Sequence, residues 1–518
     1  MNLLRATGTV GAMTMLSRIF GYLRDMVIAV LFGATGSTDA FFVAFRIPNF
    51  MRRLFAEGAF AQAFVPVFSQ YQTQRSRAEL KDLVDHTAGT LLLVLMLITA
   101  VGVLAAPWLI TLFAPGFVGE PERHALATDM LRLTFPYLLF ISLTALAGGI
   151  LNSLGKFAVP AFTPVLLNLS LIGAALWLAP QLADPVTALA WGVLLAGIAQ
   201  LAFQFPFLAR QGLLPRPRWQ RAHAGVRQIV RLMLPALFGS SVVQINLLFD
   251  TLLASLLATG SVSWLYYGDR FVELPLALIG IAIGTVILPK LSRQQSQEDS
   301  AGYRDTLDWA LRLGVLAGLP AMLGLICLSQ PILATLVQYR AFTVEDTRMA
   351  SLALVALACG LPGFIAIKIL APGFYARQDT ATPVRIGIYA MLANMLLNVL
   401  LVGPWVWLGW IGPHAGLALA TALAAYVNAG LLYRELRRRG DYQPQPGWNR
   451  WLGQISIAGA IMSAGLIWFS PPLAVWSTWP ALDRALALLG LIGAAAVVFF
   501  AILLGFGLRP RQLRSGLL

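Results

Sequence analysis

Long apolar runs alternate with short polar stretches along all 518 residues of this chain. The runs begin near residues 8, 37, 83, 125, 158, 185, 234, 264, 308, 347, 383, 413, 451 and 484. Each is on the order of 17 to 25 residues long, the length a helix needs to cross a bilayer. The pattern predicts about fourteen transmembrane helices in an all-α polytopic membrane protein. Two runs depart from it. Met13 to Phe32 carries Arg18, Arg24 and Asp25, and Gly33 to Tyr71 carries Asp39, Arg46, Arg52, Arg53 and Glu57. Charge at membrane depth is unfavourable enough that its presence points to a hydrated, arginine-rich cavity between helices.

The polar punctuation also repeats. FVPVFSQ at Phe64 to Gln70 is echoed by ILPKLSR at Ile287 to Arg293, with Pro66 and Pro289 separated by 223 positions, as are Pro160 and Pro383. ATGS at Ala34 to Ser37 recurs at Ala258 to Ser261 with an offset of 224, which Pro107 and Pro331 share. The common spacing carries the first span onto the seventh. It predicts two six-helix lobes that enter the membrane in the same sense, related by a parallel pseudo-twofold, with a substrate site at their interface. The expected organisation is an N-terminal lobe over residues 1–210, an amphipathic basic linker on the cytoplasmic surface over 211–233, and a C-terminal lobe over 234–436. A basic linker and two extra helices follow over 437–518.

Composition agrees with this picture. The chain is 58% hydrophobic and 12% charged, with a mean hydropathy of +0.74, which excludes a soluble globule with a charged surface. The net charge of +14 would suggest nucleic acid, but the basic residues form no single patch. They sit in short loops: 24 lie on the side that holds both termini and four on the other, the positive-inside pattern, so both termini are expected in the cytoplasm and no nucleic-acid partner is expected. Arg18 and Arg24 interrupt the first run, which is therefore not read as a cleaved signal peptide. Cys327 and Cys359 lie inside apolar runs and offer no disulfide framework, while His86, His124, His223 and His414 lie scattered without metal-ligand spacing. P-loop, HExxH and GxSxG signatures are absent, so an enzyme is not expected, nor any resident cofactor.

Nine basic residues fall inside the expected spans, of which Arg132 and Arg312 lie near enough to span ends to snorkel. Arg18, Arg24, Arg52 and Arg270 are the candidate substrate-binding residues, because a guanidinium stays protonated when desolvated and grips phosphate oxygens with two parallel bonds. They imply an anionic, phosphate-bearing substrate. On an ideal helix Arg18 and Asp25 share one face while Ser17, Gly21 and Arg24 share another, and Gly21 and Gly33 permit a bend between them. Asp39, Arg46 and Arg53 repeat every seven residues, with Arg53 and Glu57 at i, i+4; there the alternative is interhelical ion pairing. Pro48 is expected to kink this helix, with Asn49 satisfying freed backbone groups. Asp269 and Glu273 flank Arg270. A softer set, Asp250, Asn394, Asn398 and Thr421, offers the oxygens a hard monovalent cation needs, against the simpler reading of interhelical hydrogen bonds.

The stretches TMLSRIFGYLRD (Thr14 to Asp25), STDAFFVAFRIPNFMRRLFAEGAFAQAFVPVF (Ser37 to Phe68), SVSWLYYGDR (Ser261 to Arg270) and LAPGFYARQDTATPV (Leu370 to Val384) closely resemble the MurJ family, formerly MviN. These are lipid II flippases of bacterial peptidoglycan synthesis within the multidrug/oligosaccharidyl-lipid/polysaccharide exporter superfamily. The likeness runs over essentially the whole chain. It implies a V-shaped pair of lobes around a cationic cavity, a groove for the polyprenyl tail on the two extra helices, and functional roles for the arginines matching Arg18, Arg24, Arg52 and Arg270. Asp39 falls at a family motif position, and Lys368 lies in the motif ahead of LAPGFY. Alternating access driven by the membrane potential and sodium is implied too, with Asp250, Asn394, Asn398 and Thr421 as the candidate sodium site. The expected function is outward movement of lipid II across the bacterial inner membrane, with Asp39 and Glu57 competing for the arginines to release the head group. Cell-wall synthesis proteins are candidate partners. The rivals are an exporter of another polyprenyl-linked glycan and a membrane scaffold for cell-wall enzymes.

Overall fold

A computed structural model of the chain describes residues 3–54, 60–220 and 223–508. Glu57 therefore lies outside the described residues. At each of the fourteen expected positions the structure has a helix. In order these are Leu3–Phe32, Gly36–Arg52 with Ala61–Gln74, Arg77–Leu104, Pro121–Thr134 with Tyr137–Ser153, Ala158–Gly173, Thr187–Arg210 and Ala224–Ser255. Then follow Ser261–Pro275 with Ala282–Ser296, Ser300–Cys327, Val344–Cys359 with Leu361–Tyr375, Ala381–Trp407, His414–Arg438, Trp448–Phe469 and Ala481–Gly505. Among the described residues ten helices are long and apolar enough to cross a membrane, or eleven if the pair bent at Gly360 is one span. The first helix is interrupted by Arg18, Arg24 and Asp25, and the second, Gly36–Arg52, is 17 residues long, too short to count by itself.

Local chemistry explains where helices begin and end. Ser76 and Glu79 form a capping box that starts Arg77–Leu104, and Thr343 with Asp346 does the same for Val344–Cys359. Leu3–Phe32 runs unbroken through Gly21, because glycine inside a helix permits a kink without imposing one. The break falls instead at Gly33, whose φ of +62° is cheap only for glycine.

Packing divides the chain into two compact units, residues 1–262 and 263–518. The Ala224–Ser255 helix packs in the first unit, against Ala61–Gln74, so the packing boundary lies beyond the linker rather than within it. The core of the first unit holds Phe60, Phe64 and Phe68, ring on ring along one helix face, with Leu83, Val84, Ile150 and Leu151 around them. In the second unit the two terminal helices pack through Trp451, Ile455, Met462 and Phe499 against Leu316 and Ala334.

A buried polar knot fixes the entry to those terminal helices. Asp308 receives Arg312 Nε at 2.8 Å, the Tyr442 hydroxyl at 2.7 Å and Trp448 Nε1 at 2.8 Å, while Arg312 Nη2 donates to the carbonyl of Pro446 at 3.0 Å. Arg312 is only 3% exposed, so it is a buried tie and does not snorkel as its position near a span end suggested. Arg132, by contrast, is exposed and pairs with Asp129. Removing the carboxylate strands a buried guanidinium, and Asp308→Ala should destabilise the protein by about 3–5 kcal/mol. Thermal unfolding in detergent checks this, and an unchanged midpoint would remove the knot from the stability argument.

Candidate functional site

In the first unit Arg24 is buried, 9% exposed, and its guanidinium is held on two sides. Nε and Nη2 both donate to Asp25 Oδ1, at 2.9 and 2.6 Å, and Nη1 donates to Asn168 Oδ1 at 3.0 Å. Asn168 Nδ2 in turn donates to the carbonyl of Ser17 at 3.1 Å, so the Ser17, Gly21, Arg24 face of the first helix is the face that packs on Ala158–Gly173. Arg18 projects away from it, exposed and without an ion pair among the described residues. Arg24 pairs with its neighbour Asp25 because a long guanidinium can fold back along its own helix.

Arg52 and Arg53 are half-buried at the end of Gly36–Arg52, where the helix widens into a π turn at Arg53 and Leu54. Arg52 Nε donates to Asn49 Oδ1 at 3.0 Å, so Asn49 steadies a side chain instead of freed backbone. Arg46 Nη1 reaches the hydroxyl of Thr251, on the Ala224–Ser255 helix.

Asp39 is fully buried. Its Oδ2 accepts Arg123 Nη2 at 2.7 Å and the Gly260 N–H at 2.7 Å. Arg123 also lies over the Phe117 ring, 4.0 Å from its centroid, and reaches Glu120 and Thr259. The expected competition of Asp39 for the candidate substrate arginines meets a carboxylate already neutralised by Arg123. Arg123, on Pro121–Thr134, is one of the four basic residues counted on the far side, and its pairing is invisible in the sequence because its partner is 84 positions away.

Arg270, in the second unit, is half-buried and donates from Nη1 to Glu273 Oε2, three residues on; Asp269 is exposed. The helix that carries it, Ser261–Pro275, is positioned by Trp264, whose Nε1 donates to Asp346 Oδ1 at 3.0 Å, and by Tyr267 edge-on to Phe342. Lys368 is exposed on Leu361–Tyr375. Asn394 Nδ2 donates to Thr421 Oγ1 at 3.2 Å and Asn398 Nδ2 to Asn394 Oδ1 at 3.0 Å. Three of the four candidate sodium ligands thus meet, but amide N–H groups occupy two of their oxygens, Thr421 Oγ1 and Asn394 Oδ1, as in ordinary interhelical bonding. Asp250 is half-buried and belongs to the first unit.

The stretch around Gln378 to Pro383 ends in a charged cap. Asp379 accepts the Thr382 N–H at 2.9 Å, the Thr382 hydroxyl at 2.6 Å and Arg439 Nη1 at 2.9 Å. The two Thr382 bonds, more than Arg439, hold its carboxyl at about 2. Beside it Arg377 pairs with Asp441 at 2.8 Å, and burial pushes that carboxyl up. Two histidines that looked scattered also come together: His86 and His223 stack at 4.8 Å, each against a different oxygen of Asp82. Burial holds His223 below the usual imidazole range, with His86 adding to the effect.

Long apolar helices that carry buried and half-buried arginines define a multi-pass, all-helical membrane protein. A family profile described as Lipid II flippase MurJ matches residues 28–482. The chain belongs to the MurJ family. A Vibrio cholerae protein named "Probable lipid II flippase MurJ" is 47% identical over 520 aligned positions, covering 99% of this chain and 98% of the relative. The solved structure titled "Lipid II flippase MurJ, inward closed conformation" aligns with a TM-score of 0.77 at 26% identity, covering 96% of this chain and 99% of that one. An inward-facing multidrug resistance MATE family transporter of the MOP superfamily shares the fold, with a TM-score of 0.66 at 16% identity over 84% of this chain and 98% of its own.

The Asp39–Arg123 tie generates one prediction. Asp39→Ala and Arg123→Ala should each destabilise the protein by about 3–5 kcal/mol, and the double variant by clearly less than the sum. A double-mutant cycle on thermal unfolding checks it; additive losses would mean the pair is not coupled. Asp379 generates another. Its folded-state value lies below its ordinary 3.8, so the stability it contributes is present above that pH and is lost as the pH falls toward about 2. Asp379→Asn should therefore flatten the acid limb of the stability profile in that window, read by unfolding temperature against pH.

Proposed function

We infer that this protein is a lipid II flippase, moving the polyprenyl-diphosphate-linked peptidoglycan precursor from the inner to the outer leaflet of the bacterial plasma membrane. The observation that carries this reading is the end-to-end likeness to a protein named for that activity, at 47% identity. Charge economy supports it independently. The diphosphate of the head group is an anion whose oxygens suit guanidinium forks. Arg18 is exposed and Arg52 and Arg270 are half-buried, while Arg24 is held in place by Asp25 and Asn168.

In this mechanism Arg18, Arg24, Arg52 and Arg270 hold the diphosphate while the protein alternates its access between the two sides of the membrane. Ser17, Asp25, Arg53, Glu57, Asp269, Glu273 and Lys368 tune the potential around them. Both termini face the cytoplasm, on the strength of the asymmetry in basic loop residues. The membrane potential and a monovalent cation drive the cycle, with Asn394, Asn398 and Thr421 able to offer oxygens to sodium once their mutual amide bonds turn away, and Asp250 a charged candidate from the first unit. Cell-wall synthesis enzymes are the partners that would consume the delivered lipid.

The test is leaflet-resolved accessibility of lipid II in cells depleted of their own flippase and complemented with this protein. The wild-type chain should restore outward lipid II, and Arg24→Ala and Arg270→Ala, expressed at wild-type level, should lower it about tenfold or more, the worth of one or two lost charge-assisted hydrogen bonds. Normal activity in both variants would make those arginines structural. Failure of the inserted wild-type chain would favour export of another polyprenyl-linked glycan or a scaffolding role.

A further inference from the structure

Among the described residues, Asp82, His86 and His223 form a cluster of metal-ligand type that the proposed transport chemistry does not use. Asp82 and His86 stand at i, i+4 on Arg77–Leu104, so both leave the same face of that helix. His223 comes from the end of the linker, at the N-cap of Ala224–Ser255. His86 Nδ1 is 3.2 Å from Asp82 Oδ1 and His223 Nε2 is 3.3 Å from Asp82 Oδ2. One ligand atom from each residue lies within 4.8 Å of the other two. Zinc bonds of about 2.0–2.2 Å set tetrahedral ligand atoms roughly 3.3 Å apart; the two nitrogens have that spacing to different oxygens of Asp82, so ligation through a single oxygen needs the widest pair to close by about 1.5 Å.

The backbone around the cluster is already anchored. Arg216 N–H donates to Asp85 Oδ1 at 2.7 Å and Arg218 N–H to the Asp85 carbonyl at 3.1 Å. The linker crosses so close to the helix that a Cβ on Gly89 would stand 2.0 Å from the Arg218 carbonyl oxygen. The two imidazoles, stacked with an interplanar angle of 14°, have only to turn within that frame to aim their lone pairs at a common point.

We propose that Asp82, His86 and His223 bind one borderline divalent transition-metal ion, of which zinc is the representative, and that the ion pins the linker and the start of Ala224–Ser255 to the Arg77–Leu104 helix. Two imidazoles and a carboxylate with an open fourth position suit zinc and not magnesium, which favours all-oxygen sites. The partly exposed Asp82 provides the route in from solvent. The protons balance within each ring. In the metal-free protein His86 Nδ1–H donates to the Asp82 carbonyl at 2.9 Å, and His223 Nδ1 accepts the Val226 N–H at 3.3 Å while its Nε2 carries the proton. Ligation through His86 Nδ1 and His223 Nε2 moves each proton to the other nitrogen of the same ring, with none released. It also removes the acceptor for Val226 N–H, so metal binding competes with the cap of the Ala224–Ser255 helix.

The experiment uses the full-length protein in detergent, freed of any polyhistidine tag and stripped with chelator, then dialysed against zinc chloride. Bound metal is measured by mass spectrometry and stability by thermal unfolding. One equivalent of zinc should bind in the micromolar range and raise the unfolding temperature, with excess magnesium failing to compete. Asp82→Asn, His86→Ala and His223→Asn should each weaken binding by about tenfold or more and abolish the thermal shift. Asparagine is a good N-cap residue, so His223→Asn removes a ligand while keeping the helix start, and it decides the matter should either other variant fail to fold. Absence of zinc uptake by the wild-type protein at submillimolar metal would overturn the proposal, as would undiminished binding and thermal shift in His223→Asn.

Discussion

Charge inside a low-dielectric bundle dominates this structure. Leaving a carboxylate or guanidinium buried and unpaired costs several kcal/mol, so each such group must find a partner within reach or stay near water. The first unit meets the constraint through Arg24 with Asp25 and Asn168, and through Asp39 with Arg123 and the Gly260 amide. The second meets it through Asp308 with Arg312 and the donors of Tyr442 and Trp448. Each tie crosses between helices or binds a loop onto one, so satisfying the charges also fixes the packing.

The same accounting separates two kinds of arginine. Arg123 and Arg312 are spent on buried acids and hold elements together. Arg484 belongs with them, since its guanidinium donates to the carbonyls of Ala334, Ser477 and Trp479 and so closes the last helix onto the rest of its unit. Arg18, Arg52, Arg53 and Arg270 retain exposure. Fixed cations with accessible ends in otherwise apolar helices favour an anionic ligand electrostatically and cannot be switched off by deprotonation. That division separates the arginines that build each unit from those available to the proposed transport of a diphosphate-bearing lipid.

Linkers in this protein are fastened, not slack. Residues before the Ala224–Ser255 helix are tied to Asp85, and those before the Trp448–Phe469 helix are tied to Asp308. In both cases a carboxylate on a helix accepts linker backbone N–H groups, a cheap way to satisfy polar backbone that packs against a helix. Such ties make the ends of long helices mechanically continuous with the segments that join them.

The fourteen helix positions, the all-helical class and the charged character of the first two spans were legible from the order of residues alone. Apolar run length and local caps are properties of contiguous sequence, and bilayer thickness sets their scale. The arginines worth attention could be named in the same way, because charge among apolar runs is conspicuous wherever it sits. Partner choice was not legible. Asp39 finds Arg123, Arg24 finds Asn168, and His86 meets His223, pairings that depend on which helix faces lie together. Arg312 looked like a snorkelling residue and is buried, since the segment at Gln445 and Pro446 folds over it. Hydrophobic pattern and span length are one-dimensional and survive in the sequence. Which group satisfies a buried charge is decided by packing between positions as far apart as 84 for Arg123 and 221 for the Gly260 N–H, both on Asp39, and only the tertiary structure carries that information.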